Sequence, residues 1–97
     1  MKKYDYKGKP GTAYWVVTFV YSVEKFGWGV PDKEIRKLLG NCDGAGTGFG
    51  ERDMDWAFAD LKSAEKAMKL LEPFCDGDDA KAYLDERAVE SDEDDDA

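Results

Sequence analysis

Ninety-seven residues, 42% of them hydrophobic, suffice for one small domain with a single core and not for two. The chain has no histidine, which excludes Ser-His-Asp and Cys-His nucleophiles, HExxH zinc chemistry and the usual general base at neutral pH. The net charge of −8 is unevenly held: residues 1–72 carry twelve Lys and Arg against eleven Asp and Glu, residues 73–97 two against eleven.

The first eleven residues set Lys2, Lys3, Lys7 and Lys9 around Tyr4 and Tyr6. Interleaved cations and aromatics can grip a single nucleic-acid strand by charge and stacking, although four lysines are few for that work. The segment has no apolar stretch of the secretory kind, and the expectation is an intracellular, cytoplasmic protein. Residues 12–22 are apolar on both faces, with Trp15, Val17, Phe19 and Tyr21 on one side and Tyr14, Val16 and Val20 on the other. That pattern predicts a central strand. Its longest apolar run, from Ala13 to Tyr21, is far too short to cross a bilayer.

Residues 23–30 read as a loop broken by Gly27 and Gly29, with Phe26 and Trp28 at its tip, each a core plug or an exposed apolar anchor for a partner. A helix is predicted from Pro31 to Leu39, opened by proline, closed by Gly40 and buried along Ile35, Leu38 and Leu39. Five glycines between positions 40 and 50 fit neither a Walker loop nor a GxGxxG turn, and predict a flexible turn or an irregular edge strand. The next residues alternate, with Arg52, Met54, Trp56 and Phe58 opposite Glu51, Asp53, Asp55 and Ala57, as in a half-buried strand. From Asp60, a good N-cap, the period becomes helical, with Leu61, Ala64, Ala67, Met68 and Leu71 on one stripe. Glu72-Pro73 ends that helix.

The turn 76–79 leads to a short acidic third helix from about Ala80 to Ala88, and the like-charge run 90–97 is expected to be disordered. The domain is therefore placed at 1–89 and the tail at 90–97. Cys42 and Cys75, with no CxxC spacing, are expected to be reduced. No cofactor or metal is expected. Carboxylates are the only catalytic groups left: Glu51, Asp53 and Asp55 on one strand face, about 7 Å apart per step, could with Asp43 hold Mg²⁺ for phosphodiester chemistry.

The order strand, helix, Gly-rich segment, strand, helix resembles the ferredoxin-like α+β class. Within that class it resembles the RNA-recognition motif, on Gly48-Phe49-Gly50, on the helix 64–71 and on Tyr14-Trp15-Val16-Val17 as the first strand. The resemblance implies a small, mostly antiparallel sheet with two helices on one face. Glu51 and Asp53 stand where that motif has aromatics, which speaks against RNA binding. In composition, the chain is similar to small acidic phage-encoded inhibitors of host defence, of the anti-CRISPR and anti-restriction kind. Asp76, Asp78, Asp79, Asp85, Glu86, Glu90 and Asp92 to Asp96 carry that similarity. It implies a non-enzymatic protein that meets the Lys and Arg of a basic, nucleic-acid-handling partner with its carboxylates. The alternatives are a single-strand nucleic-acid binder on the N-terminal lysines and a metal-dependent phosphodiesterase on Asp53 and Asp55.

Overall fold

A strand that is apolar on both faces needs a neighbour on each edge and a layer on at least one face, and the first strand has all three. The computed structural model describes residues 2–4 and 9–89. Strand β1 (Ala13–Ser22) lies between β3 (Glu51–Phe58) and β4 (Ala80–Ala88), antiparallel to both, and β2 (Gly44–Gly48) flanks β3. The sheet order is β2-β3-β1-β4. Helices α2 (Val30–Leu39) and α3 (Leu61–Leu71) pack on one face, so the chain runs as the split β-α-β of the ferredoxin-like α+β class.

The period-two pattern fixes which side faces the helices. Val17, Phe19 and Tyr21 from β1 meet Met54, Trp56 and Phe58 from β3, with Ile35, Leu39, Ala64, Ala67 and Leu71 above them. Asp60 caps α3 as its chemistry suggests, its carboxylate accepting from the Ser63 N–H at 2.7 Å. Leu38 and Leu61, placed on the buried stripes by spacing, are instead partly exposed at the rims of α2 and α3. Asp32 takes the inner place on α2. Residues 23–30 are not all loop: Ser22 caps a one-turn helix, α1 (Val23–Phe26), by accepting from the Lys25 N–H. The glycine segment is an edge strand, β2, as one of its two readings has it.

The main correction concerns residues 80–88. They form β4, not a third helix, and β4 is the strand that completes β1's second edge. The helical reading rested on Ala80, Tyr83 and Leu84, but the exposed N–H and C=O groups of β1 outweigh that weak stripe. Ala80, Ala82 and Leu84 face the helices, while Lys81, Tyr83, Asp85 and Arg87 face away. The predicted disordered tail 90–97, with Glu90, lies outside the described residues, as does Lys7. Cys42 and Cys75 are free thiols.

Candidate interaction surface

The sheet face opposite the helices carries no helix among the described residues, although Val16 and Ala57 are buried there and Tyr4 stacks on Tyr14 with ring centroids 4.3 Å apart. β3 contributes Glu51, Asp53 and Asp55, and β2 contributes only glycine there: Gly44 opposite Asp55, Gly46 opposite Asp53 and Gly48 opposite Glu51. The pairing explains the glycines. A Cβ on Gly44 would stand 2.9 Å from Asp55 Oδ1, and one on Gly46 would stand 2.9 Å from Asp53 Oδ1. Asp53 and Asp55 thus lie across β2 where it has no side chains on this face, while a Cβ on Gly48 would meet nothing within 4 Å. Among the described residues, none of the three carboxylates sits within ion-pair distance of a cation. Burial, and then the neighbouring charge of Asp43, pushes the Asp55 carboxyl above its ordinary value. A cavity of about 380 Å³ opens beside this row, bounded by Val20, Gly46, Gly48, Phe49, Glu51 and Asp53.

Phe49 stands at the tip of the β2–β3 hairpin and is fully exposed. The turn has two residues, Phe49 at φ 53° and Gly50 at φ 79°, between the paired Gly48 and Glu51. Left-handed backbone suits Asn, Asp or Gly at such a first position and is costly for a bulky side chain. Phe49 was therefore missed as a surface aromatic, although a Phe-Gly pair between two strands could have signalled it.

The two predicted anchors part company. Phe26 packs against the core edge-on to Tyr21, with ring centroids 6.4 Å apart. Trp28 is 64% exposed. Its indole N–H donates to Thr47 Oγ1 at 3.2 Å, and the Arg52 guanidinium lies 5.1 Å from its ring centroid. Arg52 is itself buried, with its Nε and Nη2 donating to Asp32 Oδ2 at 3.1 and 2.9 Å. The Tyr21 hydroxyl donates to Asp32 Oδ1 at 2.5 Å and accepts from the Gly29 N–H at 3.0 Å. This network fixes the turn that carries Trp28. Burial opposes the charge of Asp32, but the bonds from Tyr21 and Arg52 outweigh it and hold the carboxyl below its ordinary value. Arg52 does not balance Asp53 and Asp55 across the strand, as its position in the sequence suggests, because it points to the other face.

The acidic C-terminal candidates are mostly spoken for. Asp76 and Asp79 both meet Lys25 Nζ at 2.9 Å, Asp78 meets Lys81 at 3.0 Å, and Asp85 meets Arg87 at 3.0 Å. Hydrogen bonds to Asp79 and Asp76 raise the Lys25 pKa above its ordinary value. Glu86 is exposed on β4. Asp43 accepts from Lys3 Nζ and from the Ala57 N–H, each at 2.8 Å, and is thus engaged away from Asp53. Among the described residues, no group of three His, Cys, Asp or Glu side chains is arranged to hold a metal ion. No helix of the described chain is long and apolar enough to cross a membrane. Comparison with family models, with curated proteins and with solved structures finds no match to this chain.

Proposed function

We propose that the protein is a non-enzymatic binding protein that occupies a basic, nucleic-acid-handling surface of another protein, in the manner of small phage-encoded inhibitors. One observation carries this reading: among the described residues, Glu51, Asp53 and Asp55 form a row of carboxylates without an ion-pair partner on the sheet face opposite the helices, with Asp53 and Asp55 laid over Gly46 and Gly44. A row at about 7 Å per step can meet successive Lys and Arg side chains by charge-assisted hydrogen bonds. Phe49 supplies exposed aromatic area at the hairpin end of the row, which suits a partner contact better than a solvated surface, while Trp28 is exposed on the helix side of β2, against Thr47 and Arg52. The row adds to the C-terminal carboxylates as contact residues, of which Asp76, Asp78, Asp79 and Asp85 are held in exposed ion pairs within the domain. The same carboxylates weigh against the single-strand nucleic-acid reading, because they would repel phosphates on the open face.

The test is a panel of purified basic nucleic-acid enzymes, among them a restriction endonuclease and an RNA-guided nuclease, assayed for DNA binding as this protein is titrated in. The expectation is loss of DNA binding by at least one enzyme, relieved by salt and abolished by the triple change E51Q/D53N/D55N. A panel that keeps its DNA, or a triple variant that inhibits as well as the parent, would refute the reading. Filter binding of a single-stranded oligonucleotide at low salt separates the alternative, since retention would favour a direct nucleic-acid binder.

A further inference from the structure

The two edges of the sheet differ. β2 is five residues long and largely glycine. β4 is nine residues long and pairs with β1 through an unbroken register from Ala80 to Ala88, without bulge or proline. A long, regular, exposed edge is a template for another strand unless something blunts it.

Among the described residues, the register states which backbone groups of β4 have no partner. The Ser22 N–H donates to the Asp79 carbonyl and the Val89 N–H to the Thr12 carbonyl, so the odd-numbered residues of β4 turn their backbone groups towards β1. The even-numbered residues turn theirs outward. At Ala80 the outward carbonyl is taken by the Asp76 N–H. Ala82 and Leu84 are the next outward residues along the edge.

We infer that the free edge of β4 pairs antiparallel with β4 of a second copy, about a two-fold axis at Tyr83. Four registers bring the middle of the strand onto itself, and charge chooses among them. Centring on Ala82 sets Asp79 against Asp85, centring on Leu84 sets Lys81 against Arg87, and centring on Asp85 sets that residue against itself. Centring on Tyr83 sets Lys81 against the second copy's Asp85 twice over, and Arg87 against its turn carboxylate Asp79. It also places Ala82 opposite Leu84, whose outward backbone groups form the ladder, and stacks the two Tyr83 rings on the open face. The turn at Asp76 ends the ladder, so the contact is short and the dimer is weak. Lys81 and Asp85 exchange exposed partners, Asp78 and Arg87, for each other, at little cost.

Sedimentation equilibrium of the wild type up to about 0.5 mM, a concentration suited to so small an interface, should show a monomer–dimer equilibrium. K81D and D85K alone should each weaken it by about tenfold, and the swap K81D/D85K should restore it. In a C42S/C75S background, Y83C should form an intermolecular disulfide on mild oxidation, because the two Tyr83 positions oppose each other as a close, non-hydrogen-bonded pair, while L84C should not. A wild type that stays monomeric overturns the inference. So does a dimer that ignores the single changes, a swap that fails to restore it, or crosslinking through L84C in place of Y83C. Circular dichroism checks that each variant folds, and where a charge variant does not, the two cysteine variants decide.

Discussion

Asp32 and Arg52 sit where the hydrophobic pattern asks for apolar residues, one on the inner face of α2 with Ile35 and Leu39, the other on the inner face of β3 with Met54 and Trp56. Each would be costly alone, and together they satisfy each other. Breaking the pair by Asp32→Ala should therefore cost about 3 kcal/mol, because a buried guanidinium loses its partner. Arg36→Ala, which removes an exposed cation 3.9 Å from the same carboxylate, should change stability by less than about 0.5 kcal/mol. Urea denaturation measures both. The network also sets a pH range. Asp32 has a lowered native pKa, so its contribution is present above the unfolded value of 3.8 and is lost as pH falls through the native one. Burial, then the bond to Asp32, pushes Tyr21 up to about 12 from 10.0. Its contribution is complete below pH 10.0 and is lost as pH rises towards about 12. Melting temperatures should fall at both ends, and Tyr21→Phe should flatten the alkaline arm.

Two further residues give opposite expectations to ordinary mutagenesis, which mostly destabilises. Phe49→Asn relieves left-handed backbone at a bulky side chain and should raise stability by about 1 kcal/mol. Asp55 has a raised pKa, so its charge opposes folding at neutral pH. Asp55→Asn should raise the melting temperature at pH 7, and the gain should fade as pH falls through the raised native value and be gone below 3.8. An unchanged melting temperature at pH 7 would show that the burial of Asp55 carries no penalty.

At the scale of elements, legibility followed how much of the decision is local. β3 could be read from its alternation because Met54, Trp56 and Phe58 differ sharply from Glu51, Asp53 and Asp55. α3 could be read from its cap and its stripe. β4 could not: its inward residues Ala80 and Ala82 are small, its outward residues are charged, and only the open edge of β1 makes it a strand. The inward Arg52 was a signal that went unused, since a cation on an apolar face demands a carboxylate nearby, and Asp32 shares a helical face with Ile35 and Leu39. β4 also decides which truncations are meaningful. A chain ending at residue 75 leaves β1 without one ladder and should show no cooperative melting by circular dichroism. A chain ending at Val89 keeps every described strand and should melt within a few degrees of the parent.

Across the whole molecule, charge is divided between layers and not only between the ends of the chain. The outer surfaces of α2 and α3 carry Lys33, Lys37, Lys62, Lys66 and Lys69 against Glu34 and Glu65, while the open sheet face carries Glu51, Asp53, Asp55 and Asp85 against Lys81 and Arg87. The sequence shows the acidic end as a block, but it cannot show that Lys25 comes back to meet Asp76 and Asp79, because that pairing depends on the fold. The row on β3 was visible in the alternation, and its glycine bed only in the cross-strand register. The candidate site was therefore half legible: its carboxylates could be named, but neither their freedom nor the exposed Phe49 beside them could.

The position of β1 between two strands that are both distant in sequence also bears on how the molecule comes into being. During synthesis the most apolar segment leaves the ribosome early, yet its second neighbour is finished only at residue 88. The nascent chain must therefore carry an unsatisfied, sticky ribbon until β4 is made, and folding should resemble a late, all-at-once closure and not a growing nucleus.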